Sequence, residues 1–137
     1  METSSSYRPR DWCVTPRLFG KAERVTWRTP NGPVESAQQG AARLQHTYAL
    51  KIQLLLRAQG ISVRGFCAAS GKTYDRMLRV LNGQMVMRLE DVAIADILLG
   101  PIAVLATDAE RSAARERFGL KALPPQPGRA PGGPGRL

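Results

Sequence analysis

Cysteine and histidine are scarce in this chain, and each scarcity removes a class of chemistry. Two cysteines, Cys13 and Cys67, stand far apart in 137 residues, so no disulfide framework is written into the sequence. The lone histidine, His46, and two distant cysteines do not supply the ligands of an ordinary zinc site. On its helix His46 has Glu35 as nearest acid, eleven residues away, and reads as a surface histidine. No run of 18 apolar residues occurs, so no membrane-spanning helix is expected. The opening METSSSYRPRDW lacks the apolar stretch of a signal peptide. Phosphate-cradling glycine loops and Ser/His/Asp or Cys/His pairings are missing, and Glu90-Asp91 are helix neighbours that point to different sides. From these absences the chain is expected not to be an enzyme, to use no cofactor and no metal, and to be cytoplasmic.

Positive charge is what the chain has in excess. Twenty basic residues, 16 of them arginine, face 11 acids, for a net charge of +9. Such an excess, with no polybasic block beside an amphipathic anchor, suits a nucleic acid better than a membrane surface. Residues 1–60 hold nine basic and four acidic side chains. Farther on, Arg64, Lys72, Arg76 and Arg79 are opposed only by Asp75, whereas Glu90, Asp91 and Asp96 gather on the segment that follows. A basic reading face with acids behind it fits a polyanionic partner.

Three regions follow from composition and period. Residues 1–34 form an N-terminal extension, irregular or weakly β. Val25 and Trp27 alternate with polar neighbours, and Thr29-Pro30-Asn31-Gly32-Pro33 is a turn signal. Trp12, Leu18, Phe19 and Trp27 are expected to tuck onto the helical body. A functional alternative makes Arg8, Arg10, Arg17 and Arg28 an arm that tracks a DNA groove or the phosphates. Residues 35–119 are helical. A long helix over 35–58 carries Ala37, Ala41, Leu44, Tyr48, Ile52, Leu55 and Leu56 at steps of mostly three or four and ends at Gly60. A fourth helix, Leu89 to Leu99, offers Leu89, Val92, Ala95 and Leu99 to the core, and Pro101 opens a fifth that runs to about Phe118. Residues 120–137 are a Pro/Gly-rich tail, ending PPQPGRAPGGPGRL, and read as disordered.

The most informative stretch is GISVRGFCAASGKTYDRMLRVLNG, residues 60–83. Ser62 caps a short second helix, Cys67 is the small residue at its centre, and Gly71 supplies the turn. Thr73 caps a third helix with Met77, Val80 and Leu81 on one face, which stops at Asn82-Gly83. Together these residues resemble the Cro/C1-type (XRE-like, lambda-repressor-like) helix-turn-helix DNA-binding domain, without a gap from about Gly60 to Leu89. Ser70 and Lys72 depart from it, standing where the family usually has apolar residues.

The resemblance implies an all-α, five-helix domain that binds double-stranded DNA and lays the helix at 73–82 in the major groove. It assigns base reading to Thr73, Tyr74, Asp75, Arg76 and Arg79, and phosphate contact to Ser62, Arg64, Lys72 and Asn82. It also implies a homodimer, for which Ile102, Val104, Leu105 and Phe118 are the contact set; the alternative is that they close the monomer core. The function expected is a sequence-specific transcriptional regulator, a repressor. Two alternatives remain beside it: an antitoxin-like module whose extension wraps a protein partner, and a DNA-coating protein of low specificity.

Overall fold

The computed structural model describes residues 7–103 and 107–122, and the fold there is all-α. Five helices follow in order: α1 (Gly32–Gln59), α2 (Val63–Ser70), α3 (Tyr74–Leu81), α4 (Leu89–Leu98) and α5 (Asp108–Arg117). Val104, Leu105 and the tail from Pro124 lie outside the described residues.

The 28 residues of α1 make a rod about 42 Å long, against which the rest is built. Its entry is set by Pro33 in the first turn and by Glu35, whose Oε1 accepts the Asn31 N–H at 2.9 Å. It ends at Gly60, whose φ of 67° is the left-handed conformation that closes a helix. The buried face reads Ala42, Gln45, His46, Ala49, Ile52 and Leu56, so small alanines let other elements approach and two polar side chains lie in the seam. Leu44, counted with the apolar face in the sequence, is 59% exposed.

His46 is not a surface residue. It is buried, with Phe19 and Trp27 edge-on to its ring at 5.4 and 5.5 Å between centroids. Its Nδ1 accepts the Gly20 N–H at 2.9 Å, which places the neutral ring's proton on Nε2, facing the Ala22–Glu23 backbone without a well-formed hydrogen bond. Periodicity missed this because the partners come from the extension, 26 residues earlier.

The extension is not a free arm. Two short 3-10 turns, Pro9–Trp12 and Pro16–Leu18, are joined by loops, and among the described residues its only sheet-like pairing is one antiparallel bridge between Cys13 and Trp27. Phe19 and Cys13 are fully buried beside Ala49, Ile52 and Leu81. Backbone approaches are so close that two glycines are required. A Cβ on Gly20 (φ 72°) would sit 2.5 Å from the Leu81 carbonyl oxygen, and one on Gly83 (φ 76°) 2.6 Å from Cδ1 of Phe19. Tyr7 Oη donates to the Gln38 carbonyl, and the Arg10 N–H donates to the Gly83 carbonyl at 2.9 Å.

Two further expectations are corrected at the C-terminal end. Helix α5 starts at Asp108, capped by Thr107, and not at Pro101. The reason is Asp96: fully buried, its Oδ2 accepts the backbone N–H groups of Ile102 and Ala103 at 2.8 and 2.7 Å, holding that stretch as a loop. Leu89 is not a core residue but is 85% exposed at the first position of α4. Arg111 and Arg115 are buried instead. Arg111 pairs with Asp96 and Asp108, and Arg115 donates to the carbonyls of Leu98 and Lys121 and to Gln59 Oε1. Burial, then the neighbouring Arg111 charge, push the Arg115 guanidinium below its ordinary value. Ile102 is buried in the monomer core, whereas Phe118 is 46% exposed.

Candidate nucleic-acid interface

Helices α2 and α3 form as their residues dictate. Ser62 Oγ accepts the Gly65 N–H at 2.9 Å, satisfying one of the donors left over at the start of α2. Gly71 takes φ 74° and its N–H donates to the Cys67 carbonyl, which ends α2 and opens the three-residue turn, 71–73, to α3. Phe66 and Cys67 of α2 and Met77, Val80 and Leu81 of α3 are buried together. Thr73 occupies the N-cap position of α3, but its side chain makes no capping bond. The left-over side of α3 faces solvent.

The residues expected to read bases separate into two groups. Thr73, Asp75 and Arg79 are exposed on one edge of α3. Arg76 is withdrawn from that set. Its Nη1 and Nη2 donate to the two oxygens of Asp91 at 2.9 and 2.7 Å, and Asp91 is fully buried at the start of α4. With its Nη1/Nη2 edge on Asp91 and its Nε buried without a partner, the guanidinium has neither two-hydrogen edge open to a guanine. Burial alone would raise the Asp91 carboxyl. The Arg76 fork, the Arg88 N–H and the charges of Arg76 and Lys72 outweigh it and hold the group below its ordinary value. The same pair raises the Arg76 guanidinium, chiefly through the hydrogen bonds.

Tyr74 is half-buried beneath Arg64, whose guanidinium lies 3.9 Å from the ring centroid. This stack ties the phosphate-contact candidate on α2 to the first residue of α3. Lys72, the departure from the family pattern, reaches Glu90 at 3.7 Å and Asp91 at 3.8 Å. Its charge therefore serves the α3–α4 junction, and the acids of α4 are not all kept behind the reading face. Ser70 Oγ, the other departure, is buried without a hydrogen-bond partner. Ser62 is exposed, and Asn82 is half-buried with its Oδ1 accepting from Lys21 Nζ at 3.0 Å.

The segment expected as an arm is fastened to the helical body. Arg8 is bound to the Asp11 carboxylate at 3.2 Å, and Arg28 Nε donates to the Asp11 carbonyl at 3.0 Å. Arg17 is exposed and Arg10 half-buried, on 3-10 turns fastened to α1 and to Gly83. A segment with Phe19 and Cys13 in the core cannot thread a groove while the fold is intact.

One residue that positions the site was not foreseen. Gln45, buried on α1, donates through Nε2 to the carbonyls of Val80 at 2.9 Å and Met85 at 2.8 Å, and its Oε1 accepts the Met87 N–H at 2.8 Å. It fixes the end of α3 and the following loop to α1. Only its place among apolar residues on one helix face could have drawn notice. Among the described residues no three His, Cys, Asp or Glu come together as metal ligands, and no helix is long and apolar enough to cross a membrane.

No family model matches the chain, and no solved structure matches it. A UDP-N-acetylmuramate--L-alanine ligase of Kineococcus radiotolerans is 36% identical over 104 residues, which cover 67% of this chain and 22% of that protein. The chain thus spans about a fifth of the length of the curated relative it matches. This similarity overturns the expectation, drawn from missing motifs, that the chain is not an enzyme: sequence shared with an enzyme removes that exclusion.

Proposed function

We propose that the chain is a sequence-specific double-stranded DNA-binding regulator, a repressor, that offers α3 to the major groove. One observation carries the reading. Helix α3 buries Met77, Val80 and Leu81 and presents Thr73, Asp75 and Arg79 along its solvent edge, next to the start of α2 with Ser62 and Arg64 exposed. Arg79 is the base reader, able to donate two hydrogen bonds to guanine O6 and N7. Asp75, one helical turn earlier, accepts from a cytosine amino group or steadies Arg79. Arg64 contacts a phosphate, as does the start of α2 through its unpaired amides. A regulator of this kind would work in the cytoplasm on the nucleoid.

The test is enrichment of bound duplexes from a random DNA pool at near-physiological salt, since affinity for DNA falls steeply with salt. A palindromic motif with half-sites about one helical turn apart establishes a homodimeric reader. A non-palindromic motif establishes a monomer, binding without enrichment a coating protein, and no binding sinks the proposal in favour of a protein partner.

The ligase similarity favours a second reading, in which this helical unit serves an enzyme that joins UDP-N-acetylmuramate to L-alanine. Product formation from those two compounds and a nucleoside triphosphate, whose cleavage activates the carboxylate, assayed with the chain present and absent, tests it. An unchanged rate counts against it.

A further inference from the structure

We propose that Lys21, carried by the N-terminal extension, is a phosphate-contacting residue of the DNA surface and acts as a pair with Asn82 at the end of α3. The inference rests on the DNA reading above and enlarges its footprint beyond the helix-turn-helix.

Five contacts fix the geometry. Lys21 Nζ donates to Asn82 Oδ1 at 3.0 Å, although 61 residues separate them. One residue earlier, Gly20 is pressed against the Leu81 carbonyl and held by Gln53 Nε2 at its own carbonyl, 2.8 Å away. One residue later in α3's path, Gly83 packs on Phe19 and accepts the Arg10 N–H. The ammonium is therefore attached to a seated backbone, and it is exposed.

The chemistry points outward. An ammonium has three protons, and Asn82 takes one of them. With Oδ1 occupied by Lys21, the Asn82 amide has its NH2 group left to donate. Two donors side by side at the edge of a reading helix match adjacent oxygens of one phosphate. A pre-fixed lysine also costs less rotamer entropy on binding than a free one. The competing explanation is purely internal: a cation near the C-terminal end of α3 is favoured by the helix dipole. That explanation concerns folding and makes no demand on salt-dependent binding.

The two are separated by measuring fluorescence anisotropy of the full chain with a 30-base-pair duplex, selected or scrambled, across about 50–300 mM salt. Lys21→Ala is expected to lower the magnitude of the slope of log K against log salt by about 0.9, one released counterion. Its affinity should fall several-fold on selected and scrambled duplexes alike, with an unchanged melting temperature. Lys21→Arg should restore the slope. Arg43→Ala, two positions from Gln45 and so on the far side of α1, removes the same charge and should leave the slope alone. Wild-type binding with an unaltered slope in Lys21→Ala overturns this inference alone, and a lowered melting temperature then assigns Lys21 to folding. Absence of wild-type binding to any duplex overturns the DNA reading and this inference with it.

Discussion

Arg76 and Arg79 lie one helical turn apart on α3 and have opposite fates. Arg79 is exposed, while Arg76 is bound by a buried carboxylate. Arg79→Ala should weaken selected DNA about 10- to 100-fold, with little loss on scrambled DNA, a difference of about 1–3 kcal/mol at one base pair. Arg64→Ala should weaken every duplex alike, and equal losses for both variants on both duplexes would refute the division of roles. Arg76→Ala should act on stability. Asp91 would be left buried with the Arg88 N–H at 2.8 Å and Lys72 at 3.8 Å but without its guanidinium fork, and a loss of about 2–3 kcal/mol in chemical denaturation is expected. A stable Arg76→Ala with altered base preference would return Arg76 to the reading set. The exposed edge was legible in the sequence because helix period alone sorts Met77, Val80 and Leu81 from Asp75 and Arg79. The fate of Arg76 was not, because its partner lies 15 residues on and only the packing of α4 brings it near.

At the scale of elements, α1 acts as a fastening rail, and its two buried polar residues do the fastening. Gln45→Leu keeps the side chain's bulk but strips the Met85 carbonyl and the Met87 N–H of their partner and leaves the Val80 carbonyl with the Gly83 N–H. Unfolding free energy should drop by about 2–4 kcal/mol, at roughly 1–3 kcal/mol per unsatisfied group. A change under 1 kcal/mol would mean that water replaces the amide. His46 fastens the extension, and burial pushes its imidazole below the ordinary 6.5, against a smaller upward pull from the backbone of Glu23 and Ala22. The unfolded chain therefore takes up this proton at higher pH than the folded one. Stability from His46 is complete above about pH 6.5 and is lost as pH falls through the folded-state value. Urea midpoints measured from pH 7.5 to 5 should decline in the wild type, and His46→Gln should flatten that decline. An equal decline in both would clear His46 of the effect. Helix ends marked by glycine were readable locally, as at Gly60 and Gly71. The delayed start of α5 was not, because Asp96, one helix away, claims the amides that Pro101 was expected to lead into a helix.

Across the whole molecule, the extension belongs to the core. A chain beginning at residue 31 would lose the burial of Cys13 and Phe19 and the partial burial of Trp27, and should be less stable by about 4 kcal/mol or more. Calorimetry of the truncated and full chains measures this, and equal melting temperatures would show that the extension is only laid on the surface. Its aromatic residues foretold that it would pack, but not where, since neither Gly20 nor Gly83 announces its counterpart by sequence spacing. The long-range docking also orders events during synthesis. Lys21 leaves the ribosome 61 residues ahead of Asn82, an interval of roughly 3–12 seconds at ordinary elongation rates. Throughout it, Phe19 has at most the α1 face around His46 to pack on, because the end of α3 and Gly83 have not yet been made. The nascent chain thus offers apolar side chains to chaperones or to other chains until residue 83 emerges, after which one docking step withdraws them.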